Sequence, residues 1–302
     1  MQQPAGNQWR ASPEVGSLLG LRVVLATVML FGRTAASAVL WWVCWYFVFA
    51  ARIARRASAD FLRRLGLPAT RGAVHRHLWS FARVALDRLL FLSGRTAGLT
   101  IELHGHELVM DLVAQRKGAL LVGAHLGSFE AMRCLAGAYE TPLLVIADFA
   151  NARRINALLQ GFSPGAKVRL LELDDAKPMA LLEAKYAVER GELVAILADR
   201  ATGRPERDVK VSFLGARAAL PSGPWVLAHV LECPVFFVSA LFTAPARYDV
   251  YCEPLFSRVE LPRGQRAEAL AQTAQRYAAH LEAKTRLCPL NWFNFYPFWE
   301  DS

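Results

Sequence analysis

From residue 99 onward, short apolar runs alternate with longer amphipathic stretches, and this alternation limits the fold more than any other feature. The runs at 99–103, 119–124, 142–147, 167–173, 193–198, 209–214, 234–242 and 248–253 read as strands. The stretches at 105–116, 128–139, 151–161, 177–190, 221–232 and 264–286 read as helices. Strands alternating with helices predict an α/β fold, a sheet with helices packed on it. No repeat, low-complexity tract or linker interrupts the chain after residue 98, so 99–302 is expected to form one α/β domain.

The segment ahead of it differs in kind. Residues 18–31 are apolar apart from Arg22, and Gly32-Arg33 closes them. Residues 34–51 (TAASAVLWWVCWYFVFAA) then run without a charge, just long enough to cross a hydrocarbon core of about 30 Å. Arg52, Arg55, Arg56, Arg63 and Arg64 follow, so the positive-inside rule places the rest of the chain in the cytoplasm. Trp41, Trp42, Trp45 and Tyr46 lie in the middle of the run, which favours a helix in the membrane interface over a full span; an ordinary buried helix is the other reading. The first 72 residues carry nine arginines against Glu14 and Asp60, a net +7 of the chain's +9. Such a basic, aromatic-rich quarter suits an anionic membrane surface. Two arginine-rich amphipathic helices are expected over 57–92, separated by Gly66-Leu67-Pro68; their basic faces suit solvent, an acidic carrier protein or anionic lipid. The expected organisation is therefore a leader and hydrophobic helix at 1–56, an arginine-rich helical segment at 57–98, and the α/β domain at 99–302. A polar start with no small-residue cleavage site does not predict a cleaved signal peptide.

Chemistry concentrates at the end of the run 119–122 (ALLV), in GAHLGSFEA. A strand end that feeds a helix start is where α/β proteins place reactive groups. A histidine there, His125, suits a general base near neutral pH. Glu130, five positions on, is a candidate to fix its tautomer. On a helix the two lie about 500° apart at roughly 100° per residue. They meet only if His125 sits just before the helix and points back over its first turn. Backbone N–H groups of Gly127 and Ser128 are candidate oxyanion donors at the helix start, and Ser128 is a candidate N-cap. Arg200 closes an apolar run beside Asp199, and Asp199 can pair with Arg200 or Arg204.

The same segment resembles the H-x4-D/E motif of the lysophospholipid acyltransferase superfamily, and most nearly its bacterial lipid A biosynthesis branch. Three further blocks follow in the same order: the Arg/Asn-rich stretch with Arg153, Arg154 and Asn156, the strand LVAILADR ending at Arg200, and VSFLGARAALPSGPWV with Gly223. The resemblance covers about residues 100–255. It implies a mixed central sheet flanked by helices, as in glycerolipid acyltransferases. It implies transfer of a fatty acyl chain from an acyl carrier protein thioester, or from acyl-CoA, to a hydroxyl or amine of a lipid or glycolipid. His125 and Glu130 would be catalytic; Gly127, Ser128, Arg153, Arg154, Asn156, Asp199, Arg200 and Gly223 would serve substrate or oxyanion. The N-terminus and the tail PLNWFNFYPFW depart from the lipid A enzymes proper and resemble a sister group linked to aryl-polyene and other unusual lipids, which leaves the acceptor open. The same pair acting on water would make a hydrolase, and the fold without chemistry a membrane scaffold.

Other classes have little support. The chain holds no G-x-S-x-G elbow, no G-x-x-x-x-G-K and no G-x-G-x-x-G, so neither a serine nucleophile nor a nucleotide cofactor is expected. Zinc-finger spacing, RNP motifs and lysine-rich tails are missing, which argues against nucleic acid. The five cysteines are scattered without a C-x-x-C, so disulfides and structural zinc are not expected. The histidines other than His125 form no ligand set in sequence and read as structural or surface residues. The aromatic tail is expected to pack over the core or to touch lipid.

Overall fold

The computed structural model of the chain describes residues 18–92, 98–132, 141–147, 168–172 and 179–300. The expected helix at 151–161, and with it Arg153, Arg154 and Asn156, lies outside the described residues. The described residues open with three helices, α1 (Leu18–Ala50), α2 (Arg52–Arg64) and α3 (Arg71–Leu92). Helix α1 is broken at Gly32, whose φ of 80° and ψ of 179° are open to glycine and leave a kink. Gly32–Ala50 is long and apolar enough to cross a membrane, and only 17% of it is buried against the rest of the protein.

Beyond them come β1 (Thr100–His104), α4 (Glu107–Ala114), β2 (Ala119–Gly123), a helix entered at 129, β3 (Leu143–Ala147), β4 (Val168–Glu172), α5 (Met179–Glu189) and β5 (Leu193–Leu197). A hairpin of β6 (Asp208–Phe213) and β7 (Ala216–Pro221), helix α6 (Gly223–Leu231), strands β8 (Val235–Ala244) and β9 (Arg247–Phe256) and helix α7 (Arg266–Leu287) complete the order. Seven strands form one mixed sheet in the order β1-β9-β8-β2-β5-β3-β4. Strands β8, β2, β5, β3 and β4 run parallel, and β9 and β1 run against them.

The pleat divides β2 between two cores, because alternate side chains point to opposite faces. Leu120 and Val122 join Val194, Ile196, Trp225 and Tyr277 on one face, where the aromatic tail also packs. Ala119 and Leu121 join Val145, Ala195 and Val238 on the other, beneath α4. Buried on both faces, β2 reads as a continuous apolar run, as central parallel strands do.

The β6–β7 hairpin corrects the sequence reading, which took 209–214 as a lone strand. Leu214 and Gly215 both adopt positive φ, 51° and 79°, as a two-residue type I′ turn requires. Leucine is a poor signal for that turn. It is held there by its N–H, which donates to Glu282 Oε2 at 2.7 Å. The tail packs rather than trailing into solvent: Trp292, Phe293, Tyr296, Phe298 and Trp299 are all buried.

Candidate active site

Strands β2 and β5 are direct neighbours, with Gly123 level with Leu197. His125 and Asp199 each lie two residues past that pair, so their side chains leave adjacent strand ends together. His125 Nδ1 meets Asp199 Oδ1 at 2.8 Å, and the His125 backbone N–H donates to Asp199 Oδ2 at 3.0 Å. Trp292 of the tail donates its indole N–H to the same Oδ2 at 3.1 Å. Three donors therefore converge on one buried carboxylate.

Electrostatics agree with this geometry. Burial opposes the charge of Asp199, but His125 and Arg200 outweigh it and hold the carboxyl below its ordinary range. Burial, with Arg200 next, pushes the imidazole of His125 below its ordinary value, against the pull of Asp199. An ionised Asp199 fixes the proton on Nδ1 of a neutral ring, which leaves the lone pair on Nε2. The side chain of His125 is 28% exposed, so a substrate can reach it.

The acid on Nδ1 is thus Asp199, and the expectation that Glu130 would hold that nitrogen is corrected. Glu130 lies on the helix entered at 129, and its Oε1 is 2.7 Å from Arg88 Nε of α3. The helical offset of the two residues turns Glu130 toward α3, while the strand register brings Asp199 in from 74 residues away. The tail motif and the neighbouring strand end were the only traces of this arrangement in the sequence.

The expected oxyanion donors are also corrected. The Gly127 N–H donates to the Asn291 carbonyl at 2.8 Å and the Ser128 N–H to the Ala240 carbonyl at 2.9 Å. Gly127 is left-handed, with φ of 73°, and a Cβ there would lie 1.7 Å from the Ala240 oxygen. The segment is seated against β8 too closely for anything but glycine, and its N–H groups donate to carbonyls of the tail and of β8. Ser128 caps the helix instead: its Oγ accepts the Ala131 N–H at 3.2 Å. Among the described residues expected to serve substrate or oxyanion, Arg200 is the cation whose charge acts on His125. Gly223 opens α6 at an exposed turn, where Ser222 Oγ donates to the Arg207 carbonyl at 2.8 Å; it stands apart from the hydrogen bonds that join His125, Asp199 and Trp292.

A chain of buried hydrogen bonds runs back from the site to the N-terminal helices. The Trp292 carbonyl accepts from His77 Nε2 at 2.9 Å, and His77 Nδ1 meets Ser58 Oγ at 2.9 Å. Burial lowers the pKa of His77 to about 4, so the ring is neutral: Nε2 donates to the carbonyl and Ser58 donates to Nδ1. His77 thus links α2, α3 and the tail. At Gly123 a mostly apolar gap of about 20 Å³ touches Leu121, Phe129, Met132 and Val238, room for about one water.

One further cluster was invisible in sequence spacing. Glu102, His104 and Asp249 bring potential metal-ligand atoms within 4.8 Å of one another across β1 and β9. The Arg247 guanidinium lies against both carboxylates. It already supplies the positive charge that a cation would bring, so the cluster fits an ion-pair network better than a metal site.

Among known proteins, the family described as bacterial lipid A biosynthesis acyltransferase matches residues 17–301. No curated protein sequence matches the chain.

Proposed function

The chain belongs to the bacterial lipid A biosynthesis acyltransferase family, and from that premise we propose that His125 is the general base of an acyl transfer at the cytoplasmic face of the inner membrane. The donor is a fatty acyl thioester, on acyl carrier protein in preference to coenzyme A. The acceptor is a hydroxyl or amine of a lipid or glycolipid. His125 Nε2 takes the acceptor proton as the acceptor oxygen or nitrogen attacks the thioester carbonyl. The tetrahedral intermediate collapses, the C–S bond breaks, and the proton on Nε2 passes to the departing thiolate. Asp199 stabilises the imidazolium between those steps, and Trp292 and the His125 N–H hold Asp199. Arg200 faces the oxyanion; Arg153, Arg154 and Asn156 are the other candidates for that task. Glu130 ties the helix after His125 to α3 through its ion pair with Arg88. No nucleotide or metal is needed for these steps.

The observation that carries this reading is the His125–Asp199 pair at 2.8 Å on adjacent strand ends, with His125 held neutral. The test is acyl transfer from acyl carrier protein thioester into a bacterial lipid extract, followed by lipid mass spectrometry. His125→Ala and Asp199→Asn are each expected to slow turnover by about 100-fold or more. Full turnover by either variant overturns the mechanism. Thioester loss without an acylated lipid would make the protein a hydrolase.

A further inference from the structure

Away from His125, one face of α2 carries Ile53, Arg56, Asp60 and Arg63, at the three- and four-residue spacing of a helix stripe. With Arg55 and Arg71, this face lines a groove of about 740 Å³ that ends at Pro297 of the tail. That is within the size range of ligand sites, roughly 300–1,000 Å³. Among the described lining residues, four guanidinium groups share the groove with one acid, Asp60. Arg63 approaches Asp60 only to 3.8 Å, with its side chain 63% exposed, and such contacts contribute little. Arg55 is turned to the carbonyls of Val48 and Phe49, at 3.0 and 3.4 Å. Arg71 sits in the first turn of α3, the positive end of the helix dipole, where a cation is unfavourable without a nearby anion. The groove therefore concentrates positive potential.

A second observation selects the anion. On α1, Val39, Trp42, Tyr46 and Phe49 form an exposed stripe at the same spacing, with Trp42 70% and Tyr46 65% exposed. The stripe leads into the groove: the Arg71 guanidinium lies 5.5 Å from the Phe49 ring centroid, and exposed Ile53 lines the groove itself. An apolar stripe of this kind marks a surface that something apolar covers. A ligand that suits both features has an acyl region and an anionic head. An acidic protein suits the arginines and leaves the aromatic stripe bare.

We propose that the α2–α3 groove binds the phosphate of an anionic phospholipid headgroup, with the acyl chains lying along the aromatic stripe of α1. This goes beyond the acyl transfer proposed above, and a binding readout tests it whether or not that chemistry stands.

The experiment uses the full chain in non-ionic detergent and dihexanoyl phosphatidylglycerol as probe, read by tryptophan fluorescence. Dihexanoyl phosphatidylcholine, inorganic phosphate and acyl carrier protein are the comparison ligands. Saturable binding of the phosphatidylglycerol is expected, with the zwitterionic lipid and free phosphate at least about tenfold weaker. The triple variant Arg56→Gln/Arg63→Gln/Arg71→Gln should bind about 100-fold more weakly, from about 1 kcal/mol per arginine. Should that variant not fold, Arg63→Glu alone, at an exposed position, is expected to weaken binding about tenfold. Unchanged phosphatidylglycerol affinity in a folded variant overturns the proposal. So does equal binding of phosphatidylcholine, equal binding of inorganic phosphate, or a variant that loses carrier-protein binding and keeps lipid binding.

Discussion

A histidine that takes a proton at neutral pH must be neutral there, and burial with Arg200 holds His125 below its ordinary pKa of about 6.5. In the proposed mechanism the deprotonated ring is the active form, so lowering its pKa extends activity toward acid. The acid limb of kcat/KM is expected to fall below pH ~6.5. Asp199 opposes that lowering, so Asp199→Asn should displace the limb further toward acid while reducing kcat. Glu130→Gln leaves the bond at Nδ1 in place and should leave the limb where it is. A pH–rate profile in which Glu130→Gln moves the limb and Asp199→Asn does not would restore Glu130 as the partner. At this scale the place of His125 just past a strand end was legible, because an apolar run ending in a histidine has a direct physical reading. The identity of its acid was not. Spacing along a chain says which residues share a helix turn, but not which strands become neighbours. Only the pairing of β2 with β5 brings residue 199 to residue 125.

Elements were more legible than their joints. Seven of the nine described strands belong to one sheet, and the central ones, β2 and β5, lie close to their expected spans because a run buried on both faces announces itself. The hairpin turn at Leu214-Gly215 was hidden because its first residue gives no turn signal. Equally hidden were the long-range bonds that join helix to domain. His77 is one: it ties α3 to α2 through Ser58 and to the tail through Trp292. Its folded pKa is about 4, against about 6.5 unfolded. The unfolded chain therefore binds this proton first, and the stability from a neutral His77 is complete above pH ~6.5. It is lost as pH falls toward 4, by about 3 kcal/mol in all. Urea denaturation between pH 7 and 4 should show this slope, and His77→Gln should flatten it. A slope unchanged in the variant would assign the acid sensitivity to other groups. Arg33 is the second joint. Its guanidinium grips Asp87 of α3 through two bonds, at 2.6 and 2.8 Å, and Tyr248 of β9 donates to the same carboxylate at 2.8 Å. Asp87 is fully buried, so Arg33→Leu strands a charge and should cost about 3–5 kcal/mol. Arg33→Leu/Asp87→Leu should recover part of that loss in a thermal melt, and no recovery would mean that shape rather than charge holds α1 on α3.

At the scale of the whole molecule, the N-terminal helices carry both an arginine cluster and an exposed aromatic stripe, and on the proposed membrane attachment the balance between them decides how the protein is held. The arginines of α2 offer about 1 kcal/mol each toward anionic lipid, and salt screens that term. Trp42, Tyr46 and Phe49 are each more than half exposed. Aromatic side chains of this size bury some 150–250 Å² when covered, so at roughly 25 cal/mol per Å² the three contribute on the order of several kcal/mol that salt does not weaken. The apolar term dominates. High salt should therefore leave the protein in the membrane pellet, and non-ionic detergent should release it. Complete release by salt alone would mean that the stripe is covered by protein and that only the arginines touch lipid. Removing residues 1–56 is the complementary experiment, and its outcome follows from the joint at Arg33. The deletion takes away the cation opposite buried Asp87, the Trp41 carbonyl that His75 Nε2 meets at 2.9 Å, and the core contacts of Cys44 and Val48 with Leu62 and Leu78. A truncated chain is thus expected to aggregate rather than to yield a free soluble domain. A monodisperse, cooperatively melting truncation would show that α1 is an anchor alone and not part of the fold.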